Sequence, residues 1–303
     1  MRYPYWTADV FTDRAFAGNP LAVVADATGL STEQMQAIAH EFNLSETTFV
    51  LPPEEPEHTF RLRIFTPATE LEFAGHPTVG SAFVLAHAGR IQLDGDKTRI
   101  VFGENVGPVR VDIRAFKGKP VSSQLWVAQL PEVGPPAPES ESIAVALGLD
   151  PDDVLDDARD HPASLSCGTP YLFVPLRSLA AVRRARVNYE WWNRTMNTRW
   201  TQGVFLFSHE TEAKEATVQA RMFAPVFGIE EDPATGSAAA AFAGYMLRRD
   251  GLAEGTARWI IDQGIEMGRP SRMEVEADVA DGKVTAVRVA GPSVVISEGH
   301  LEV

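Results

Sequence analysis

With 303 residues and 33.1 kDa the chain has room for two domains and a packed core, and 45% hydrophobic against 22% charged residues is ordinary globular usage that excludes a disordered chain. Its 41 acidic and 27 basic residues give a net charge of −14, the wrong sign for nucleic acid or an anionic membrane surface, so neither is an expected partner. A single cysteine, Cys167, excludes an internal disulfide and a cysteine-built zinc site, and suits a reducing compartment.

No apolar stretch of signal-peptide length follows Arg2, so the expected location is the cytoplasm. Gly18-Asn19-Pro20 before Leu-Ala-Val-Val reads as a turn feeding a buried strand. Ser31 with Gln34 forms a capping box, and Met35, Ile38, Ala39 and Phe42 follow at helical spacing. Asn43 can end that helix in a left-handed conformation. Thr47 to Leu51, a polar loop and a strand ending Arg63-Ile-Phe-Thr-Pro67 predict a hairpin, after which His76-Pro-Thr-Val-Gly-Ser-Ala82 opens an apolar helix. Turn and linker composition between Phe116 and Ser140 marks a domain boundary, with domains expected over 1–116 and 117–289. Ser140 to Leu147 predicts a short helix, and the acidic run Asp150 to Asp160 a solvated loop.

The second half then repeats the first. Gly168-Thr-Pro170 precedes Tyr-Leu-Phe-Val, Gly203 to Phe207 leads to a strand ending Arg221-Met-Phe-Ala-Pro225, and Asp232-Pro-Ala-Thr-Gly-Ser-Ala238 opens a second Ala-rich helix. Three landmarks in one order, at offsets of 150, 158 and 156 residues, indicate a duplicated α+β unit. The stretch Ala238 to Leu247 is too short to cross the roughly 30 Å core of a bilayer and reads as a buried helix.

Absent motifs narrow the chemistry. There is no Gly-x-Gly-x-x-Gly after a strand, no phosphate-binding Gly-x-x-x-x-Gly-Lys-Ser/Thr loop, no paired-histidine metal motif and no Gly-x-Ser-x-Gly elbow. None of the lysines Lys97, Lys117, Lys119, Lys214 and Lys283 lies in a repeated motif. No cofactor and no metal is therefore expected. What remains is the duplicated helix start, where His76 and Asp232 each sit four residues before the repeated Gly80 and Gly236. A helix N-terminus carries unsatisfied N–H groups and partial positive charge, so Gly75, Gly236, Ser81 and Ser237 are candidates to hold a carboxylate. Packing of the halves about a pseudo-twofold axis would make His76 and Asp232 face one another near Glu46. The residues equally fit a plain architecture in which Asp232 is an N-cap, His76 a hydrogen-bonded core histidine and the Gly/Ser pairs serve close packing.

Glu46 heads the strand Thr47 to Leu51, and counting back from Phe205 gives Gln202 as its repeat counterpart. A glutamine cannot transfer a proton, so Glu46 would be the one acid/base on a repeated scaffold if a cleft lies beside it. Partial burial raises a carboxyl toward a working pH near neutral. The alternative is an exposed glutamate at a strand edge.

At these residues the chain resembles the phenazine-biosynthesis PhzF-like family, a branch of the diaminopimelate epimerase-like fold. The matching text is Asp9-Val-Phe-Thr, Gly18-Asn-Pro-Leu-Ala-Val-Val, Asn43-Leu-Ser-Glu-Thr-Thr-Phe-Val50, Phe65-Thr-Pro, Glu70, Ala74-Gly-His-Pro-Thr-Val-Gly80, Arg221-Met-Phe-Ala-Pro225, Glu231-Asp-Pro-Ala-Thr-Gly-Ser-Ala238, and Gln263-Gly with Gly268-Arg-Pro270. The resemblance implies two pseudo-symmetric α+β domains, each a mostly antiparallel curled sheet around a central helix, with the last strand, about 290–303, returning to the first. It also implies a homodimer. Glu46 matches the family's acid/base, His76 and Asp232 match polar residues completing the site, and Ser45, Gly75 and Ser237 match positions that hold a substrate carboxylate; Gly236 and Asn19 join that binding set. Related racemases carry a cysteine in each helix-start motif, where this chain has Ala74 and Ala234, so two-thiol racemisation is disfavoured. The expected activity is a cofactor-independent isomerase that moves a proton within a small carboxylate-bearing, cyclic or unsaturated metabolite. The alternative is a protein that binds such a carboxylate without moving a proton.

Overall fold

The computed structural model describes residues 1–196, 200–201, 203–227 and 229–303. Its chain divides into two compact units, Met1–Ala128 with Val289–Val303, and Gln129–Arg288. The first unit holds β1 (Arg2–Val10), β2 (Asn19–Val24), α1 (Thr32–Phe42), β3 (Glu46–Leu51), β4 (Phe60–Phe65), β5 (Glu70–Leu71), α2 (Gly75–His87), β6 (Lys97–Glu104), β7 (Gly107–Phe116) and β8 (Lys119–Trp126). In the second come β9 (Glu132–Val133), α3 (Ser140–Ala146), β10 (Ala163–Ser166), β11 (Pro170–Pro175), α4 (Leu179–Arg184), α5 (Tyr189–Thr195), β12 (Gly203–Ser208), β13 (Val218–Ala224), β14 (Ile229–Asp232), α6 (Gly236–Asp250), β15 (Gly255–Gln263) and β16 (Ser271–Ala280). The chain closes with β17 (Lys283–Gly291) and β18 (Ser293–Glu302), the latter pairing antiparallel with β1.

The repeat read from the sequence is a repeat of topology. In the first unit β2 runs parallel to β3, β3 antiparallel to β4, β4 antiparallel to β5, β4 parallel to β6, and β6 antiparallel to β7. The second unit draws the same pattern with β11, β12, β13, β14, β15 and β16. Each unit is therefore mostly antiparallel with two parallel pairs, and each parallel pair needs a crossover. Helices supply them. α1 joins β2 to β3, α4 and α5 join β11 to β12, and α2 and α6 carry the chain from the short strands β5 and β14 to β6 and β15.

α2 packs on β1, β2, β3, β7, β8 and β18, and every residue from Gly75 to Ala86 is buried. A helix apolar all round can only sit inside a domain. Its close seat needs Gly80, where a Cβ would come within 2.6 Å of both Leu21 and Val10. α6 packs on β10, β11 and β16 and contributes Phe242 and Tyr245 to a cluster with Phe173, Phe205 and Phe207. Each such buried ring is worth roughly 1.5–3 kcal/mol of transfer free energy.

α1 starts at Ser31, whose hydroxyl accepts from the Gln34 N–H while the Gln34 side chain returns the bond, and ends at Asn43 with φ 50 and ψ 34. Both ends follow the expected signals. α3 likewise matches the predicted short helix. The acidic run does not behave as a plain solvated loop. Asp150 and Asp153 box a 3-10 turn, and Asp160 is buried against Arg249 with bonds of 2.7 and 3.2 Å. The cation that pulls it inward lies 89 residues away and leaves no local trace. Among the described residues no helix is long and apolar enough to cross a membrane.

Candidate active site

Three elements of the first unit converge on one imidazole. Gly18, with φ +65 and a Cβ position only 2.3 Å from the Val10 carbonyl, turns the chain tightly into β2, so that Asn19 opens that strand. Asn43 stops α1 and the Leu44-Ser45 turn delivers Glu46 to the head of β3, in register beside Leu21 of β2. α2 begins at Gly75 and presents His76 from its first turn. The result is His76 Nε2 at 3.3 Å from Glu46 Oε2, and His76 Nδ1 at 3.3 Å from Asn19 Nδ2. His76 is 5% exposed, Glu46 9% and Asn19 0%. Glu46 is thus not an exposed edge residue, and Ser45 beside it is half-buried.

Burial pushes the His76 imidazole down to about 3, against a smaller opposing effect of a backbone hydrogen bond with Pro20, so the ring is neutral at ordinary pH. Nδ1 lies beside the Asn19 amide, and the ring also has a backbone hydrogen bond with Pro20. The 3.3 Å contact between Nε2 and Glu46 Oε2 sets the edge of the ring beside the carboxyl, and the neutral ring carries one proton for its two nitrogens.

The remaining candidates lie in the second unit, at the start of α6. Asp232 ends β14, is 8% exposed and accepts from the Thr235 hydroxyl at 2.6 Å. The N-cap is Thr235, not Asp232, and the helix opens at Gly236. The repeated text therefore folds differently in the two units: Gly80 and Ser81 lie in the second turn of α2, while Gly236 and Ser237 are the first two residues of α6. Ser81 donates or accepts with Thr48 at 2.8 Å, and Ser237 pairs with the Tyr171 hydroxyl at 2.7 Å. Ser81 is buried away from the helix start, which removes it as a carboxylate ligand.

Neither α2 nor α6 has a side-chain cap, and neither has an acidic residue in its first turn. By contrast Ser31, Ser178 and Asn188 cap α1, α4 and α5, and α3 carries Glu141 in its first turn. At α6 the nearest carboxyl is that of Asp232, which precedes the helix and accepts from its N-cap Thr235.

Gln202, the counterpart read from spacing, lies outside the described residues. Strand register instead sets Glu46 opposite Leu21 and Gly203 opposite Tyr171, so the equivalent of Glu46 is Gly203. A Cβ there would lie 3.1 Å from the Phe223 carbonyl, 3.2 Å from the Tyr171 ring and 3.3 Å from the Met222 sulfur. A side chain at that position would need its neighbours to give by a few tenths of an ångström. Cys167 is buried, and burial with the nearby Glu132 charge pushes its thiol up to about 12, which removes it as a nucleophile.

Spacing missed two ion pairs that steady the approach to each helix. Arg63 of β4 grips Glu70 through two bonds of 2.8 and 2.7 Å, and Arg221 of β13 grips Glu231 through bonds of 2.7 and 2.8 Å. Each guanidinium also lies over a phenylalanine two residues on, Phe65 and Phe223. The repeated Arg-x-Phe in the sequence was the available signal.

Residues 8–299 match the model of the phenazine biosynthesis-like protein family, PhzC-PhzF. An uncharacterized isomerase of Mesorhizobium japonicum is 42% identical over 98% of both chains, and a trans-2,3-dihydro-3-hydroxyanthranilate isomerase of Pseudomonas aeruginosa is 35% identical over 98% of both. The crystal structure of a PhzF-family phenazine biosynthesis protein from Bacillus anthracis superposes with a TM-score of 0.89 at 26% identity, covering 100% of both chains. With its duplicated α+β topology and its Glu46–His76 pair, the chain belongs to the phenazine biosynthesis-like family and is an isomerase.

Proposed function

We propose that this isomerase moves a proton within a small carboxylate-bearing metabolite, with no cofactor, and that Glu46 is the base that removes it and the acid that returns it. The observation that carries this reading is Glu46 Oε2 at 3.3 Å from the Nε2 of an imidazole that burial keeps neutral. Glu46 takes a proton from a C–H bond acidified by conjugation with the substrate carboxylate, and the electron pair moves into the conjugated system. Glu46 then delivers the same proton to another carbon of that molecule, so the double bond shifts and nothing is oxidised or reduced. His76 accepts from or donates to Glu46 as its charge changes, and Asn19 orients the ring. The uncapped helix start at Gly75, with Ser45, holds the carboxylate and stabilises charge that spreads onto it in the transition state, and Asp232, Gly236 and Ser237 are the second unit's candidates for the same work.

A cyclic, unsaturated acid is the best substrate class, because a carbanion next to a saturated chain would be too basic for a carboxylate to create. The P. aeruginosa relative is named for a ring acid of that kind. We propose that the protein acts as a homodimer in the cytoplasm, with neither nucleic acid nor membrane as partner. The test is incubation in D₂O with trans-2,3-dihydro-3-hydroxyanthranilate and with a panel of other unsaturated acids. An isomerised product that carries solvent deuterium or retains the transferred proton supports the proposal. Binding of these acids with neither isomerisation nor exchange would make the protein a carboxylate binder instead.

A further inference from the structure

The strand that follows each site helix ends in a polar residue at the same register. In the first unit β4 and β6 pair as Arg61 with Gly103, bringing up Glu104 next; in the second β13 and β15 pair as Gln219 with Asp262 and Ala220 with Gln263. Glu104 and Gln263 are therefore counterparts. Gln263 uses its amide fully: Nε2 donates to the Asp232 carbonyl at 2.7 Å and to Thr235 Oγ1 at 3.1 Å, and Oε1 accepts from the Thr235 N–H at 3.3 Å. It ties down the start of α6.

Glu104 does the same work with a different group. Its Oε1 lies 2.7 Å from Thr78 Oγ1, which lies 2.8 Å from the carbonyl of Ala74, the N-cap of α2. Three oxygens in a row at these separations need two protons between them. The carbonyl brings none and the hydroxyl brings one. The second belongs to Glu104.

We propose that Glu104 is held as a neutral carboxylic acid that stands in for the amide of Gln263, donating to Thr78 so that Thr78 donates to Ala74, and that this relay positions His76 on the first turn of α2. The proposal rests on the reading of His76 as the partner of Glu46. Glu104 is a positioning residue, joined through Thr78 to the Ala74 carbonyl two residues before His76.

The surroundings agree. Glu104 is 6% exposed, and among the described residues its Oε2 has no hydrogen-bond partner, an arrangement a carboxylic acid tolerates and a carboxylate does not. Burial pushes the carboxyl up to about 8, over the opposing effects of the Thr78 hydrogen bond and the Arg61 charge. Arg61 of β4 is engaged with the Leu62 and Gly103 carbonyls, Asn105 and Glu54. Glu70 of β5 is held by Arg63 and Asn105, His76 of α2 is neutral, and on β7 Asp112 is paired with Lys97 and Arg99 while Arg110 stacks on Trp126. Ionisation of Glu104 would make Thr78 choose between a carboxylate and Ala74, and the helix start would lose its tie.

The test uses the full chain without substrate. In infrared spectra at about pH 6, wild type should show a protonated-carboxyl carbonyl band that is absent in Glu104→Gln and present in Glu46→Gln. With isotope-labelled histidine, the His76 ring resonances, assigned from His76→Gln, should shift in Glu104→Ala and return in Glu104→Gln. They should also shift as wild type is taken through about pH 8 and stay put in Glu104→Gln. If Glu104→Ala does not fold, Thr78→Val must move the same resonances. A wild-type band untouched by Glu104→Gln, or His76 resonances indifferent to Glu104→Ala or Thr78→Val, would overturn the proposal. Neither readout uses turnover, so retained activity in Glu46→Gln would remove the functional reading and leave these results to stand separately.

Discussion

The starts of α2 and α6 occupy the same place in two copies of one topology, yet they are built differently. In the first unit the helix begins early, at Gly75, because the Thr78 hydroxyl takes the Ala74 carbonyl and lets His76 join the first turn. In the second, Gln263 and Thr235 hold Asp232 at the end of a strand, and the helix waits until Gly236. Opposite these starts stand Glu46 in one unit and Gly203 in the other, the latter walled in by Tyr171, Met222 and Phe223. Duplication supplied two helix starts without a side-chain cap. The Glu46–His76 contact stands beside one of them.

The sharpest structural contrast is between the two arginine clamps. Arg221 is 4% exposed and, besides Glu231, donates to the Val182 and Ala185 carbonyls at 3.0 and 2.8 Å, whereas Arg63 shares its remaining donors with Thr32 near the surface. Arg221→Ala strands a carboxylate and two buried carbonyls and should cost about 3–5 kcal/mol of stability. Arg63→Ala should cost about 1–2 kcal/mol, since its site is wetter. Urea unfolding of both variants checks this; equal losses would mean the buried clamp is no more important than its twin.

Two buried groups of the first unit give stability opposite slopes with pH. Native His76 stays neutral down to about 3 while its unfolded value is 6.5, so the unfolded chain binds the extra proton between them and stability falls as pH drops through that window. Native Glu104 keeps its proton to about 8 against 4.5 unfolded, so its contribution is present below 4.5 and is lost as pH rises to about 8. Melting temperature followed from acid to alkaline pH should show Glu104→Gln diverging upward from wild type above about pH 4.5. Parallel curves would contradict the assignment of a neutral carboxyl.

The smallest effect on stability is expected at Asp232. Asp232→Asn keeps an oxygen for the Thr235 hydroxyl and removes the charge, so unfolding free energy should change by less than about 1 kcal/mol while turnover falls about 10-fold or more. Full turnover in this variant would reduce Asp232 to a local support of α6.

Much of this architecture was legible because its signals are local. The Ser31–Gln34 box and the Asn43 stop are short-range hydrogen-bond chemistry, and the duplicated Gly-x-Pro, Arg-x-Phe and Pro-x-x-Gly-Ser-Ala texts report one topology used twice. Glu46, His76 and Asn19 were legible as members of motifs, and the structure brings those three together. Asp160 was misread because Arg249 reaches it from the far end of a helix. Gln202 was named in place of Gly203 because Phe49 and Phe205 match by residue type, whereas strand register sets Phe49 beside Val24 and Leu206 beside the corresponding Val174. Glu104 was missed altogether: nothing in Phe102-Gly-Glu-Asn105 marks a buried acid, and its meaning comes from the register that sets it against Gln263.

Proton transfer by Glu46 is measured most directly by comparing wild type and Glu46→Gln on one isomerisable unsaturated acid in D₂O, following both product and deuterium by NMR. The amide keeps the size of the side chain and its contact with His76 but cannot carry a proton. Turnover and exchange should fall together by about 10²- to 10⁴-fold with an unchanged melting temperature. Undiminished turnover in Glu46→Gln would contradict Glu46 as the residue that moves the proton.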